Sequence, residues 1–343
     1  MSILRFDPTT NDWVIFAPSR ARRPHEFRQG ACPDKPTSLG DTKSESVPTC
    51  PFCPDNERYT PTEIFAVRDA PRGPWKIRVV PNKFPALRIE EGNDSVEESH
   101  RFFRYRGGCG AHEVIIETPR HDVFLGHQPI EQVELLLQTM QSRFNDLLRD
   151  SRFQTIVLFK NHGEAAGTSL QHPHCQLIAT PVVPRLMRLK LAVATDYFDM
   201  TGHCLYCMLR DEELSAERRV LVSNNDFVAI LPYASHSPFE TWILPRHHQS
   251  SFGELDGWRF RPLAELLRVV LLKLYVGLEN PAFNLTINSV PRGDEDKSYF
   301  LWHIEITPRL STPAGFELGS GMSINTVLPE EAADFLRDVD ISR

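Results

Sequence analysis

Apolar residues recur along this 343-residue chain at two periods, and the period switches at matching places in its two halves. Over residues 129–149, Val133, Leu136, Leu137, Met140, Phe144 and Leu148 fall at helical spacing with polar residues between them, which predicts an amphipathic helix. A second helix is predicted over 262–278. Short apolar runs of strand length lie at 155–159 and 283–288, and further strands are predicted at 114–118, 242–246 and 302–305. In order, the chain spells one grammar twice: a Cys-x-x-Cys pair, a strand running into Pro-Arg-His, a helix, a strand, a loop and a strand bearing histidine. The first copy carries Cys50, Cys53, His121, His172 and His174; the second carries Cys204, Cys207, His248 and His303. Such order-preserving similarity predicts an α+β fold made by duplicating one unit, with two antiparallel half-sheets packed as a pair and helices against them. The boundary between the halves is expected within 181–201, giving an N-terminal half of 1–190 and a C-terminal half of 191–343. Loops are expected at the Pro/Ser-rich stretch 33–49 and the acidic stretch 90–98, with a turn at Gly107-Gly108-Cys109-Gly110.

Composition narrows the function classes. The net charge is −7, from 45 acidic against 38 basic residues, which argues against a general nucleic-acid binder. There are seven cysteines, an odd number, and four of them form the two Cys-x-x-Cys pairs. That usage suits reduced thiols and metal rather than a disulfide framework. The first thirty residues contain no uninterrupted apolar run and include Asp7 and Asp12, so neither a signal peptide nor a membrane span is expected there. The expectation is a soluble, cytoplasmic protein with neither nucleic-acid nor membrane partners.

The candidate chemistry is concentrated in 161–176. Asn161, Gly163 and Gly167 interrupt the strand pattern, and glycines there let backbone N–H groups approach an anion, with the Ser169 hydroxyl as an added donor. Strand alternation then puts His172, His174 and Gln176 on one face and Pro173 and Cys175 on the other. Two thiolates from a Cys-x-x-Cys hairpin, completed by histidines, match the shell of zinc. Cys50, Cys53, His121 and His172 are proposed as a first, structural Zn²⁺ site. Cys204, Cys207 and His248 form the start of a second. Leu301 stands where the first half has His172, so His303 is the candidate fourth ligand from a shifted position.

These segments resemble the galactose-1-phosphate uridylyltransferase family, the transferase branch of the histidine-triad superfamily, over nearly the whole chain. The resemblance rests on the 161–176 motif, Cys50/Cys53, His121, the duplication, the opening stretches 6–14 and 17–24, the segment 80–87 and the segment 315–325. It implies that His174 is a nucleophile carrying a nucleotidyl group, with Gln176 and Ser169 beside it. It also implies contacts to nucleotide and phosphates from Arg20, Arg22, Arg23, Asn82, Asn161, Gly167, Thr168, Ser169 and Gln176, and closure over the sugar phosphate by a segment holding Phe316 and Gly319. Gln176 stands where hydrolases of the superfamily carry a third histidine, which fits transfer to sugar phosphate rather than to water. Cys175 replaces the usual glycine of the family's His-Pro-His-Gly-Gln motif, and its side chain is expected to face away from His174. The implied reaction is UMP transfer from UDP-glucose to galactose 1-phosphate in a homodimer, without an organic cofactor. AMP transfer from ADP-glucose to phosphate is the alternative, and a zinc-bound interaction module without catalysis is a third reading.

Overall fold

The computed structural model describes residues 1–20, 46–71, 73–92, 95–97 and 102–342. A hairpin of β1 (Ile3–Asp7) and β2 (Asp12–Phe16) opens the chain. The first half continues with β3 (Phe65–Arg68), β4 (Trp75–Pro81), a small hairpin of β5 (Ser95–Glu97) and β6 (Arg104–Arg106), then β7 (Ala111–Ile116). It closes with helix α1 (Ile130–Leu148), β8 (Thr155–His162) and β9 (His174–Thr180). Helices α2 (Arg185–Thr201) and α3 (Leu205–Ala216) follow. The second half holds β10 (Val220–Ser223), β11 (Phe227–Ile230), β12 (Thr241–Pro245), α4 (Phe260–Gly277), β13 (Phe283–Asn288) and β14 (His303–Pro308). The chain ends with α5 (Gly315–Ser320), β15 (Ile324–Asn325), which pairs parallel to β2, and α6 (Pro329–Arg337).

Ten strands form one sheet in the order β10-β11-β12-β14-β13-β8-β9-β7-β4-β3. Outward from the β13–β8 seam the halves match strand for strand: β13 with β8, β14 with β9, β12 with β7, β11 with β4 and β10 with β3. The half-sheets therefore pair edge to edge, antiparallel, with Asn284 opposite Asn161 and Thr286 opposite Phe159. This removes an exposed edge from each half. The α+β expectation holds, and the two long helices lie within two residues of their predicted ends. Val133, Leu137, Met140 and Phe144 of α1 and Leu263, Leu267, Val270, Leu271 and Leu274 of α4 cover one sheet face, against Ile115, Leu177, Leu285 and Ile304. Each of these side chains is nearly fully buried, so truncating one to alanine costs about 2–5 kcal/mol.

The opposite face is used differently in the two halves. Over the second half it is covered by α2 and α3, through Val193, Ala194, Leu205 and Tyr206 against Trp242, Leu244 and Leu301. Residues 190 and 191 fall inside α2, so the expected boundary lies within a helix rather than in a linker. Over the first half, Cys50, Phe52 and Cys53 form a smaller cluster with Trp75, Val80, Val114 and Ile116, and Gln176, Ile178 and Thr180 of β9 stay partly exposed. Ser95–Glu97, inside the expected acidic loop, pairs with Arg104–Arg106 as a strand, since backbone pairing across a short hairpin does not need an apolar pattern. The expected turn at 107–110 leads into β7, and a Cβ on Gly110 would come within 2.5 Å of the Ala179 carbonyl oxygen, so the approach of β7 to β9 requires glycine.

Among the described residues, no helix is long and apolar enough to cross a membrane.

Candidate active site

The loop between β8 and β9 is built on two glycines in the left-handed region, Gly163 at φ 81° and Gly167 at φ 86°. Between them the chain makes one tight turn, and the Thr168 hydroxyl donates to the Asn161 carbonyl at 2.5 Å. The seam strand supports this loop: Asn284 Nδ2 donates to Asn161 Oδ1 at 2.8 Å and to the Ala166 carbonyl at 2.9 Å. The loop borders a cavity of about 630 Å³ whose lining includes His121, Lys160, Asn161, His162, Thr168, Ser169, His172, His174 and Asn280.

His174 opens β9 and is buried, 7 % exposed. Its Nδ1 donates to the carbonyl of His172 at 2.8 Å, which leaves the lone pair on Nε2. Burial, reinforced by the charge of Lys160, holds its pKa below the ordinary histidine value, so the ring is neutral at neutral pH. The Phe52 ring sits edge-on at 5.4 Å and limits how His174 can turn. Beneath the strand, Lys160 Nζ lies 2.5 Å from Glu117 Oε1 and 3.4 Å from the His174 carbonyl oxygen. The Cys175 thiol also donates to Glu117, at 3.0 Å, and burial together with that carboxylate pushes its pKa up. Cys175 thus faces the helix-covered side, as expected, and acts as a protonated hydrogen-bond donor.

Gln176 is half-buried one strand step beyond His174, on the same face. Its Oε1 lies 2.9 Å from His112 Nε2 and 3.5 Å from Asn82 Nδ2. Asn82 follows β4, and its N–H donates to the His112 carbonyl at 2.8 Å.

Four metal-ligating atoms, from Cys50, Cys53, His121 and His172, lie within 4.8 Å of one another. His172 Nδ1 is 3.7 Å from Cys50 Sγ and 3.6 Å from Cys53 Sγ, and His121 Nδ1 is 3.4 Å from Cys53 Sγ. These separations approximate the edges of a tetrahedron with bonds of about 2.0–2.3 Å. His172 Nε2 is 2.8 Å from the Thr118 carbonyl, a contact that requires the proton on Nε2 and turns the Nδ1 lone pair toward the sulfurs. Burial, with the fields of His121 and His174, pushes the His172 pKa down to about 4. The residues fit a metal ion, and the donor set is that of a structural site.

In the second half only Cys204, Cys207 and His248 come together among the described residues, with Cys207 Sγ 3.3 Å from His248 Nδ1. His303, the expected fourth ligand, is not among them. Its Nδ1 bonds the Leu301 carbonyl at 3.0 Å, and its ring stacks on Tyr206 and Trp242. This is the same strand position and the same Nδ1-to-carbonyl bond as in His174, so β14 orients His303 as a counterpart of His174 rather than of His172. Where β9 has Gln176, β14 has Glu305, which His303 Nε2 approaches at 3.3 Å and with which Lys190 forms an ion pair.

Thr168 and Ser169 line the cavity. Gly167 shapes the loop beside them. Arg20 is exposed at the end of the short turn after β2, while Phe316 and Gly319 lie on the exposed helix α5; none of these three lines the cavity. Arg22 and Arg23 lie outside the described residues. The sequence reading missed His112, Glu117, Thr118 and Lys160 as partners of the site. Only the alternation of β7 and β8 against β9 brings them there, and that register is a property of the assembled sheet.

Comparison with known proteins places this chain in the class of nucleotidyltransferases. Residues 1–184 match the family model described as galactose-1-phosphate uridyl transferase, N-terminal domain. The chain belongs to the galactose-1-phosphate uridyl transferase family. It is 35% identical over 341 residues to an ADP-glucose phosphorylase of Arabidopsis thaliana, covering 99% of this chain and 93% of that protein. It is 29% identical over 350 residues to a galactose-1-phosphate uridylyltransferase of Thermotoga maritima, covering 99% of each. A crystal structure of an ADP-glucose phosphorylase from Arabidopsis thaliana with bound ADP-glucose superposes with a TM-score of 0.82 at 33% identity, over 99% of this chain and 100% of that one.

Proposed function

We propose that this protein transfers AMP from ADP-glucose to inorganic phosphate in two displacements at His174. In the first, the Nε2 lone pair attacks the α-phosphorus, a P–N bond forms, and the bond to the bridging oxygen breaks to release glucose 1-phosphate. In the second, a phosphate oxygen attacks the same phosphorus, the P–N bond breaks, and ADP leaves with His174 restored. What carries the chemistry is the single free ring nitrogen of a buried, neutral His174 at the wall of the cavity. Backbone N–H groups of the 163–169 loop, Ser169 and the Gln176 amide are the proposed donors to phosphate oxygens. Zinc at Cys50, Cys53, His121 and His172 is the proposed metal; it would contribute a cross-link that fixes the start of β9.

Adenylyl transfer is placed ahead of the UDP-glucose reaction because the 35% relative named for ADP-glucose matches 99% of this chain. The second reading, UMP transfer from UDP-glucose to galactose 1-phosphate, is supported by the family model and the Thermotoga maritima relative. Incubation with ADP-glucose and UDP-glucose, each labelled in the nucleotide, separates them. The expected result is label on the protein from ADP-glucose, chased into ADP by phosphate, with parallel double-reciprocal plots. Label from UDP-glucose alone, chased by galactose 1-phosphate, establishes the second reading. Intersecting plots with no labelled protein from either donor reject His174 as a covalent catalyst.

A further inference from the structure

We propose that His112 is a positioning residue that locks the Gln176 amide with its NH₂ group, rather than its oxygen, turned toward the transferred phosphoryl group. The inference rests on the functional reading above and assigns a role that the 161–176 motif does not contain.

The N–H of Ala86 donates to His112 Nδ1 at 3.2 Å, which fixes the lone pair on Nδ1 and the proton on Nε2. That Nε2–H can only donate; of the two polar atoms near it, Asn82 Nδ2 at 3.1 Å is itself a donor, which leaves Gln176 Oε1 at 2.9 Å as the acceptor. Asn82 is polarised in the same sense: the Phe84 N–H donates to its Oδ1 at 2.9 Å, so its Nδ2 carries the hydrogens and faces the same Gln176 oxygen at 3.5 Å. Two donors whose own orientation is set by backbone N–H groups therefore converge on one face of the Gln176 amide. Register makes this possible. His112 lies opposite Ile178, and Val114 lies opposite Gln176, so His112 reaches Gln176 along the diagonal of an antiparallel pair.

The consequence is chemical. An unrestrained amide can present either its oxygen or its NH₂ to the site, and an oxygen facing a phosphate anion repels it. With Oε1 held from behind, the NH₂ group is ready for charge that develops on the phosphoryl oxygens, with no reorganisation during the reaction. The backbone donors at 84 and 86 sit in the 80–87 segment, whose Asn82 the family resemblance implies in nucleotide contact. That segment would thus also act on the phosphate, at second hand, through His112.

The test is a double-mutant cycle on single-turnover labelling by the nucleotide sugar that the wild type accepts. His112→Phe keeps a ring and removes the donor; it is expected to slow labelling about tenfold while leaving KM for the nucleotide sugar within about twofold, because the contact matters most in the transition state. Gln176→Ala is expected to slow labelling about a hundredfold. The double variant should be no slower than Gln176→Ala alone, since a lock has nothing left to hold. His112→Gln, which can donate to the same oxygen, should recover most of the rate, and it carries the test if His112→Phe does not fold. Multiplicative losses in the double variant, or a His112→Phe enzyme as fast as wild type, overturn the assignment. A wild type that takes no label from any nucleotide sugar overturns the functional reading instead, and this inference falls with it.

Discussion

Lys160 and Glu117 form a buried ion pair beside the site: their side chains are 2 % and 0 % exposed and lie 2.5 Å apart. Removing one partner of such a pair strands the other charge in a medium that solvates it poorly, a loss of about 3–5 kcal/mol. Lys160→Met should therefore lower the urea-unfolding free energy by about that much, and Lys160→Met with Glu117→Gln should regain most of it. A single variant within about 1 kcal/mol of wild type would show that the charges do not depend on each other. The pair also bears on the chemistry, because the Lys160 charge helps keep His174 unprotonated. His174→Ala should abolish labelling outright, whereas Lys160→Met should shift the acid limb of the labelling rate toward higher pH, as the His174 pKa rises without its cationic neighbour. What was legible at this scale lay within a few consecutive residues: His172, His174, Gln176 and the glycines of the loop declare their spacing in the sequence. Lys160 lies just past the apolar run 155–159, and Glu117 lies inside the predicted strand 114–118. They meet across 43 residues, and no local pattern marks that meeting.

At the scale of elements, β9 is held at its start from two sides. His172, just ahead of it, belongs to the candidate metal cluster, and the carbonyl of the same residue takes the Nδ1 proton of His174. Loss of metal should thus damage stability and labelling together, because the ligand that leaves is also the group that orients the nucleophile. Cys50→Ser is expected to lower bound zinc, the unfolding midpoint and the labelling rate in parallel, since binding energy at a structural site is largely folding energy. Zinc content near zero in a fully stable, fully active wild type would sink the four-ligand proposal. The long helices and the strands flanking them were readable because each buries one continuous stripe. Helix α2 was not, because only Lys190, Val193 and Ala194 of the helix are buried, too few to mark a continuous apolar stripe. The misplacement of His303 has a related cause. The two halves align by strand position, so a histidine at the position of His174 keeps that orientation even where its neighbour has become Leu301.

At the scale of the whole molecule, the N-terminal hairpin and the C-terminal segment are fastened to the second half by polar contacts over a small apolar patch of Val14, Phe16 and Ala234. Arg5 and Arg219 share Glu330, and His236 bonds Asp7 through Nε2 and Ser323 through Nδ1, each at 3.0 Å. Asp7 is further held by the N–H of Thr9 and the hydroxyls of Thr9 and Thr10. Burial opposes charge on both members of the His236–Asp7 pair. For His236, the hydrogen bond to Asp7 and the fields of Glu240 and Asp7 outweigh that burial and the opposing charge of Lys190, so its pKa is raised above 6.5. For Asp7, the bonds from His236 and Thr9 outweigh burial, so its pKa is lowered below 3.8. The stabilisation from His236 is therefore fully present below its unfolded value of 6.5 and is lost as pH rises through its higher folded value. That from Asp7 is present above 3.8 and is lost as pH falls through its lowered value. The acid limb also contains Glu240, whose pKa burial raises, so the alkaline limb is the cleaner test. The unfolding free energy of wild type minus that of His236→Gln should stay level up to about pH 6.5 and then decline, with a slope of at most about 1.4 kcal/mol per pH unit for one proton, before levelling again. The same decline should shrink in Asp7→Asn, because the histidine then keeps only the field of Glu240 to sustain its charge. A difference between wild type and His236→Gln that does not change across this range would mean that His236 is held neutral and that its charge does not help to fasten the hairpin.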